Sequence, residues 1–313
     1  MKDSISGHDF CFFSHEFRSD VMQNVYEPFL DCIKEVVECS ANVDVRDFVE
    51  QCDVYPLQFE LFESYYSIGM CERSEDILLH ELGYETTRMM DNMIQILKFV
   101  SKKRPIFMLL NRIHFAQDST LRFLCVLLQE LKECSIYILG AYNEEYKVRQ
   151  YLLDEWEQFT DFIDKQRFVV SWVSQENSEE YYDSDFVPID DKLDHYITEL
   201  QNMVEFGAYS QANYYLFFVF QKYQNHIEDI GVESWIKICL LYLRNKVYLN
   251  DVSNAIRVGN RMKDTILLVK NREQKMFMVA YYIGMAQVYN RRFEIASQCV
   301  EQCKNILEKC NDE

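Results

Sequence analysis

Only eight glycines and four prolines are spread over 313 residues. A β-sandwich or barrel needs many turn residues, and a disordered linker is rich in both, so neither describes this chain. Long helices joined by short loops do. Basic residues are also outnumbered, 32 against 51 acidic ones, for a formal net charge of -19. A phosphate backbone is repelled by such a field, which argues against nucleic acid as a direct partner. Lys102, Lys103 and Arg104 form the only basic triplet and read as the solvated entry to an apolar run. Glu176, Glu179, Glu180, Asp183 and Asp185 read as a soluble loop or helix face. No apolar run reaches membrane-spanning length, so no membrane partner is expected.

The 11 cysteines include no CxxC pair, and residues Met1 to Phe10 hold no apolar stretch of signal length. An odd count without framework spacing reads as reduced thiols in a cytoplasmic protein. Cys299 and Cys303 share a helix face, with Cys310 further along it. A metal site there would need ligands from elsewhere, and small apolar core residues are the plainer reading. There is no G-x-S-x-G, no H-E-x-x-H and no Cys/His nucleophile context, and the six histidines are scattered.

Along the chain, residues 9–14 predict a short buried strand and Val21 to Cys39 a helix, while 41–79 give no clear pattern beyond helical pieces. Ile77 to Val100 reads as a long helix ending at the basic triplet. Two short apolar runs, Ile106 to Leu110 and Ile136 to Leu139, read as buried strands. Between them lies a helix from Leu121 to Lys132, with Ser119 as its N-cap. Helix resumes around Glu144 to Asp164, and Phe168 to Trp172 predicts a further strand. Apolar strands alternating with helices imply a parallel sheet covered on both faces. From about Asp190 the pattern is entirely helical. The expected class is therefore α/β followed by all-α, with one domain over 1–185 and a second over 186–313.

The segment Phe107 to Tyr146 carries an apolar strand, the turn Ile113-His114-Phe115-Ala116, a helix, and a second strand closing on Gly140-Ala141-Tyr142-Asn143. Upstream stands Val25-Tyr26-Glu27-Pro28-Phe29. These elements resemble the second half of the ATPase domain in STAND signalling ATPases, especially the large LuxR-type regulators and their adenylate-cyclase relatives. That family has a Leu-His-Trp-Ala-like turn, a Gly-Thr-Tyr-Arg strand end and a Pro-Tyr-x-Pro-Phe element in the same order. The resemblance covers roughly residues 10–180 and implies an incomplete sheet of the P-loop NTPase type.

The departures from the family pattern bear on activity. The family's strand ends in two acidic residues, one holding Mg²⁺ and one polarising the attacking water. Asn111 and Arg112 stand at those positions. An amide is a poor substitute for a carboxylate on a hard cation, and a guanidinium cannot act as a base. The phosphate-contacting Arg after the next strand is Asn143. No Gly precedes a Lys anywhere, so the G-x-x-x-x-G-K-[ST] loop is missing, and on this alignment Met1 falls after the point where it is expected. His114 matches the family's turn histidine and reads as structural. Asp118 reads as a helix-start acid, and Glu144 with Glu145 as a solvated pair. In such ATPases the P-loop strand lies between the strand near 136–140 and that near 168–172. Its absence is expected to leave unpaired backbone edges, to be filled by a strand from another polypeptide or by rearrangement of the sheet.

In the helical half, Ala212, Ala255 and Ala296 recur about every 40 residues. Residues 206–212 fit a turn and second helix, with Leu216 and Val219 continuing the buried face. Trp235, Ile238, Cys239 and Tyr242 fit the next first helix, and Val252, Ala255, Gly259 and Met262 its second. Ile283 and Gly284, then Phe293, Ala296, Val300 and Cys303, fit the last unit. Small residues at such crossings resemble tetratricopeptide repeats, whose concave face commonly binds a peptide or protein; an ordinary helical bundle is the alternative. Tyr214, Tyr215 and Tyr281 are candidates for that groove or for the core. No helix-turn-helix follows. The combined reading is a non-enzymatic regulatory or scaffolding protein acting through protein contacts, possessing no cofactor. The alternative is a signalling switch that binds Mg-ATP jointly with a partner supplying the P-loop. A third reading is a remnant without function.

Overall fold

The computed structural model describes residues 10–19, 22–39, 51–52, 55–69, 81–130, 134–143, 148–166 and 193–311. The strand expected at 168–172, the acidic stretch at 176–185, Glu144, Glu145 and the expected boundary near 185 lie outside them. The chain divides into two compact units, the first formed by Met1–Glu75 with Gly83–Pro188 and the second by Asp76–Leu82 with Ile189–Glu313.

The first unit carries a three-stranded parallel sheet in the order β1-β2-β3, formed by β1 (Cys11–Glu16), β2 (Ile106–Asn111) and β3 (Ile136–Gly140). Cys11 pairs with Ile106 and Ile106 with Ile136, so every strand runs in the same direction and in register. Alternation sends Ile106, Met108 and Leu110 into the core with Ile136. The opposite face is less covered than a buried parallel sheet demands. Phe12, Phe107 and Tyr137 form one registered row across it, and Tyr137 and Leu139 remain 55% and 69% exposed.

Around this sheet stand α1 (Phe29–Cys39), α2 (Pro56–Ile68), α3 (Leu82–Ser101), α4 (Asp118–Glu130) and α5 (Leu153–Gln166). Helix α3 buries Met89, Met93, Ile96, Leu97 and Val100, an i, i+4, i+7 stripe. The helix expected from Val21 begins only at Phe29, because Tyr26 adopts a left-handed conformation (φ 51°) and Pro28 follows it. That turn is anchored from α4: the Tyr26 N–H donates to Ser119 Oγ at 3.1 Å, and Thr120 Oγ1 donates to the Glu27 carbonyl at 2.8 Å. Ser119 is thus engaged with the turn rather than capping α4, whose first residue is Asp118.

The second unit is a stack of helical hairpins. α6 (Leu193–Glu205) pairs with α7 (Tyr209–Tyr223); after the single-turn α8 (Ile227–Ile230), α9 (Val232–Tyr248) pairs with α10 (Val252–Ile266), and α11 (Arg272–Tyr289) with α12 (Phe293–Asn311). Each new first helix packs on both members of the preceding hairpin: α9 on α6 and α7, α11 on α9 and α10. The hairpin turns repeat one geometry. Gly207, Asn250 and Arg291 are all left-handed, with φ of 81°, 56° and 58°. The N–H of the next residue reaches back to the carbonyl five positions earlier, Ala208 to Met203, Asp251 to Lys246 and Arg292 to Gln287. Ala212, Ala255 and Ala296 follow at the same offset and are all buried. Their small side chains let the two helices of each hairpin close together.

Tyr215 belongs to this core, whereas Tyr214 and Tyr281 are partly exposed. A buried ion pair joins α6 to α9: Arg244 contacts Glu205 Oε1 at 2.5 Å and Oε2 at 3.1 Å, and its Nε donates to the Tyr248 hydroxyl at 3.0 Å. Removing one partner strands the other charge in the core. Arg244→Met is expected to cost about 3 kcal/mol in urea unfolding, and adding Glu205→Leu to recover most of it. Equal loss in the single and double variants would show that the pair does not govern this crossing.

Candidate functional site

Ligands of open parallel sheets bind beyond the carboxyl ends of the strands, and the first unit places Asn111, Arg112, His114 and Asn143 there. Asn111 is the last residue of β2 and pairs in register with Glu16. Arg112 follows in a left-handed conformation (φ 59°), which turns the chain sharply into a short 3-10 helix over Ile113–Phe115. Gly140 lets this turn approach β3: a Cβ there would sit 2.6 Å from Ile113 Cδ1. The Ile113 N–H donates to the Ala141 carbonyl at 3.0 Å, and the Ala141 N–H to the Leu110 carbonyl at 2.9 Å.

The side chains are already engaged with one another. Arg112 Nη1 lies 3.4 Å from Glu16 Oε1, and its guanidinium stacks 4.9 Å from the centre of the Phe115 ring. His114 is buried and accepts the Asn143 N–H at Nδ1, 2.9 Å away. That nitrogen therefore carries a lone pair directed at the backbone, and the ring fixes the loop after β3. Asn143 contributes its backbone to this contact while its side chain is exposed. The four positions are brought together, but the nearby carboxylate, Glu16, already faces a guanidinium. Among the described residues no three His, Cys, Asp or Glu side chains converge to hold a metal ion.

Other reactive groups are quenched by burial. Desolvation pushes the Cys52 thiol to about 12 and that of Cys125 to about 11, leaving both protonated and unreactive at neutral pH. Asp118 is the exception that the sequence did not disclose. It is fully enclosed, its Oδ1 has no hydrogen-bond partner, and burial raises its carboxyl to about 6 against the pull of Arg122. Arg122 itself is ion-paired to Glu155 on α5.

The other feature of this unit is a surface. β3 pairs with β2 alone among the described residues. Tyr137 stacks on Phe107 with ring centres 4.8 Å apart, and Phe10 meets Phe107 edge-on at 5.2 Å. This aromatic strip with Leu139 adjoins the side of β3 that has no strand partner among the described residues. In the sequence it showed only as aromatic residues inside short apolar runs, indistinguishable from buried strand positions.

No protein-family model, curated protein or solved structure matches the chain. Among the described residues no helix is long and apolar enough to cross a membrane.

Two measurements check this geometry. The folded-state pKa of Asp118 lies above its ordinary value of 3.8, so ionisation destabilises the fold as pH rises through about 6 and costs nothing below about 4. Asp118→Asn is expected to stabilise by about 1–3 kcal/mol at pH 8, the gain fading between pH 6 and pH 4 in thermal melts. A gain equal at all pH values would contradict it. In the strand, the inward N–H of Ala141 sets the alternation, so Ile138 and Gly140 point their N–H groups away from β2. Amide exchange is expected to be fast at those two positions and slow at Tyr137 and Leu139; equal protection would mean that the edge is filled.

Proposed function

We propose that the chain is a catalytically silent regulatory or scaffolding protein of the cytoplasm, working through protein–protein contacts and derived from a STAND-type ATPase. The observation that carries this reading is Arg112. At the position where the resemblance requires the water-polarising carboxylate, a guanidinium lies against Glu16 and the Phe115 ring. A cation so placed neither binds Mg²⁺ nor accepts a proton. Asn111 beside it offers an amide in place of the other carboxylate.

The parallel order β1-β2-β3 is in keeping with that ancestry, since the resemblance puts the missing P-loop strand on the far side of β3, where no strand pairs among the described residues. Exposed Tyr137 and Leu139 mark that edge as a place for an incoming strand from a protein partner, which would add main-chain hydrogen bonds and apolar contact. The hairpin stack with its repeated turns supports tetratricopeptide-like units in the second half, a scaffold suited to peptide or protein binding. The net charge of -19 disfavours nucleic acid as a direct partner.

The same edge, unpaired among the described residues, favours a second reading, a switch that binds Mg-ATP jointly with a partner bringing the P-loop. A thermal melt of the isolated chain with and without millimolar Mg-ATP tests the first reading. A ligand at about 100 times its dissociation constant adds about 2.7 kcal/mol to the native state. The expected result is an unmoved transition. A clear upward shift would replace the silent scaffold with a nucleotide-binding protein, and Asn111 and Asn143 would be the first positions to substitute.

A further inference from the structure

The link between α10 and α11 is built differently from the link before it. Alternating helix directions put both links at the same end of the hairpin stack, and Arg261 Nη2 of α10 reaches Asn225 Oδ1 in the first at 3.4 Å. The first link carries α8 with Glu228 and Asp229, and none of its large apolar side chains is exposed. The second, residues 267–271, is a tight turn in which the Leu268 N–H donates to the Thr265 carbonyl at 3.1 Å and the Val269 N–H to the Ile266 carbonyl at 3.2 Å. Val269 is buried, but Leu267 is 57% exposed and Leu268 is 73% exposed, the most of any large apolar side chain among the described residues. A single exposed leucine is ordinary. Two adjacent ones at the tip of a turn are a feature that the first link does without.

The charge around this tip runs against the rest of the chain. Residues 261–275 hold five basic side chains, Arg261, Lys263, Lys270, Arg272 and Lys275, against Asp264 and Glu273, in a chain of net charge -19. Lys263 stands one helical turn before Leu267 on the same face and is exposed, as is Lys270 just after Leu268. Glu273 accepts from Arg272 Nε at 2.6 Å and is drawn further towards its charged form by Lys309 of α12. Its charge is thus already matched, and Asp264 is the acid left to oppose the cations.

We propose that this tip docks on the surface of an anionic lipid bilayer, Leu267 and Leu268 entering the headgroup boundary while Lys263 and Lys270 meet the lipid phosphates. The contact is peripheral, so it needs none of the apolar length of a spanning helix. It goes beyond the reading of the chain as a protein-binding scaffold and uses neither the sheet nor its edge. Charge complementarity selects the occupant. At physiological salt the field of a charge fades within about 8 Å, so a bilayer at the tip senses the local cations far more than the acidic remainder of the chain. Shape selects it too. A protein partner needs a pocket moulded to a projecting corner, whereas a fluid bilayer offers apolar depth and negative charge to any basic tip. Glu228 and Asp229 suit the first link poorly to the same surface, so the third hairpin leads the contact.

Co-sedimentation of the full chain with vesicles of equal parts phosphatidylserine and phosphatidylcholine tests the proposal. The protein is expected to pellet at low salt, to be released as salt approaches about 0.5 M, and to stay in solution with phosphatidylcholine alone. Lys263→Gln with Lys270→Gln is expected to weaken the partition about 30-fold, and Leu267→Ala with Leu268→Ala about 100-fold. Val288→Ala, an exposed site at the opposite end of α11, is expected to partition as the parent does. Independently of those variants, Leu268→Trp is expected to gain a blue-shifted emission on the anionic vesicles, after subtraction of the three native tryptophans. Equal pelleting with neutral vesicles, no pelleting with either, or a leucine variant that pellets as the parent does would overturn the proposal. Binding to a soluble glutamate–leucine peptide without binding to vesicles would overturn it as well, and would assign the tip to an acidic protein segment.

Discussion

The first unit depends on the turn that closes β2. Five backbone or side-chain hydrogen bonds converge on residues 110–115: the Phe17 N–H on the Asn111 carbonyl, Gln23 Nε2 on the Phe115 carbonyl, the Ala141 N–H on the Leu110 carbonyl, the Ile113 N–H on the Ala141 carbonyl and the Asn143 N–H on His114. β1, the loop after it and the end of β3 are all referred to this one segment. Arg112 takes a left-handed conformation within this segment, and its guanidinium lies against Glu16 and the Phe115 face. In a working phosphohydrolase, groups at this end of the sheet must stay available to ligand. Here the side chains of Arg112, Glu16 and Phe115 are in contact with one another.

Much of this arrangement was legible in the sequence. The three strands appear within a residue or two of the apolar runs that predicted them, because short apolar segments bounded by turns have few other ways to be buried. The hairpins likewise follow from alanines and apolar residues at helical spacing. What escaped was whatever depends on contacts remote in sequence. The periodicity from Val21 onward is helical, yet Tyr26 and Glu27 are drawn out of a helix by Ser119 and Thr120, more than ninety residues away. The same contact removes Ser119 from capping. Asp118 reads as an ordinary first-turn acid, and only the enclosure around it shifts its protonation.

The site residues show the same division. That Asn111, Arg112 and His114 cluster follows from their adjacency, and the apposition of Asn143 follows from parallel pairing of β2 and β3. That Arg112 finds Glu16 was not foreseeable, since it requires knowing that β1 lies beside β2. Phe293 and Val300 carry the right residue types for a core, and local pattern alone cannot tell whether a neighbour is there to cover them.

A stack in which each hairpin touches only its neighbours has no single centre, and its stability is a sum of local terms along one axis. Among the described residues the hairpin of α6 and α7 and that of α11 and α12 each have a neighbouring hairpin on one side only. Opening either breaks one interface, whereas opening the middle hairpin breaks two. The second unit is therefore graded in its resistance to local unfolding, softer at its two end hairpins than at its middle, and anything that settles on α12 stiffens a hairpin with a single supporting neighbour.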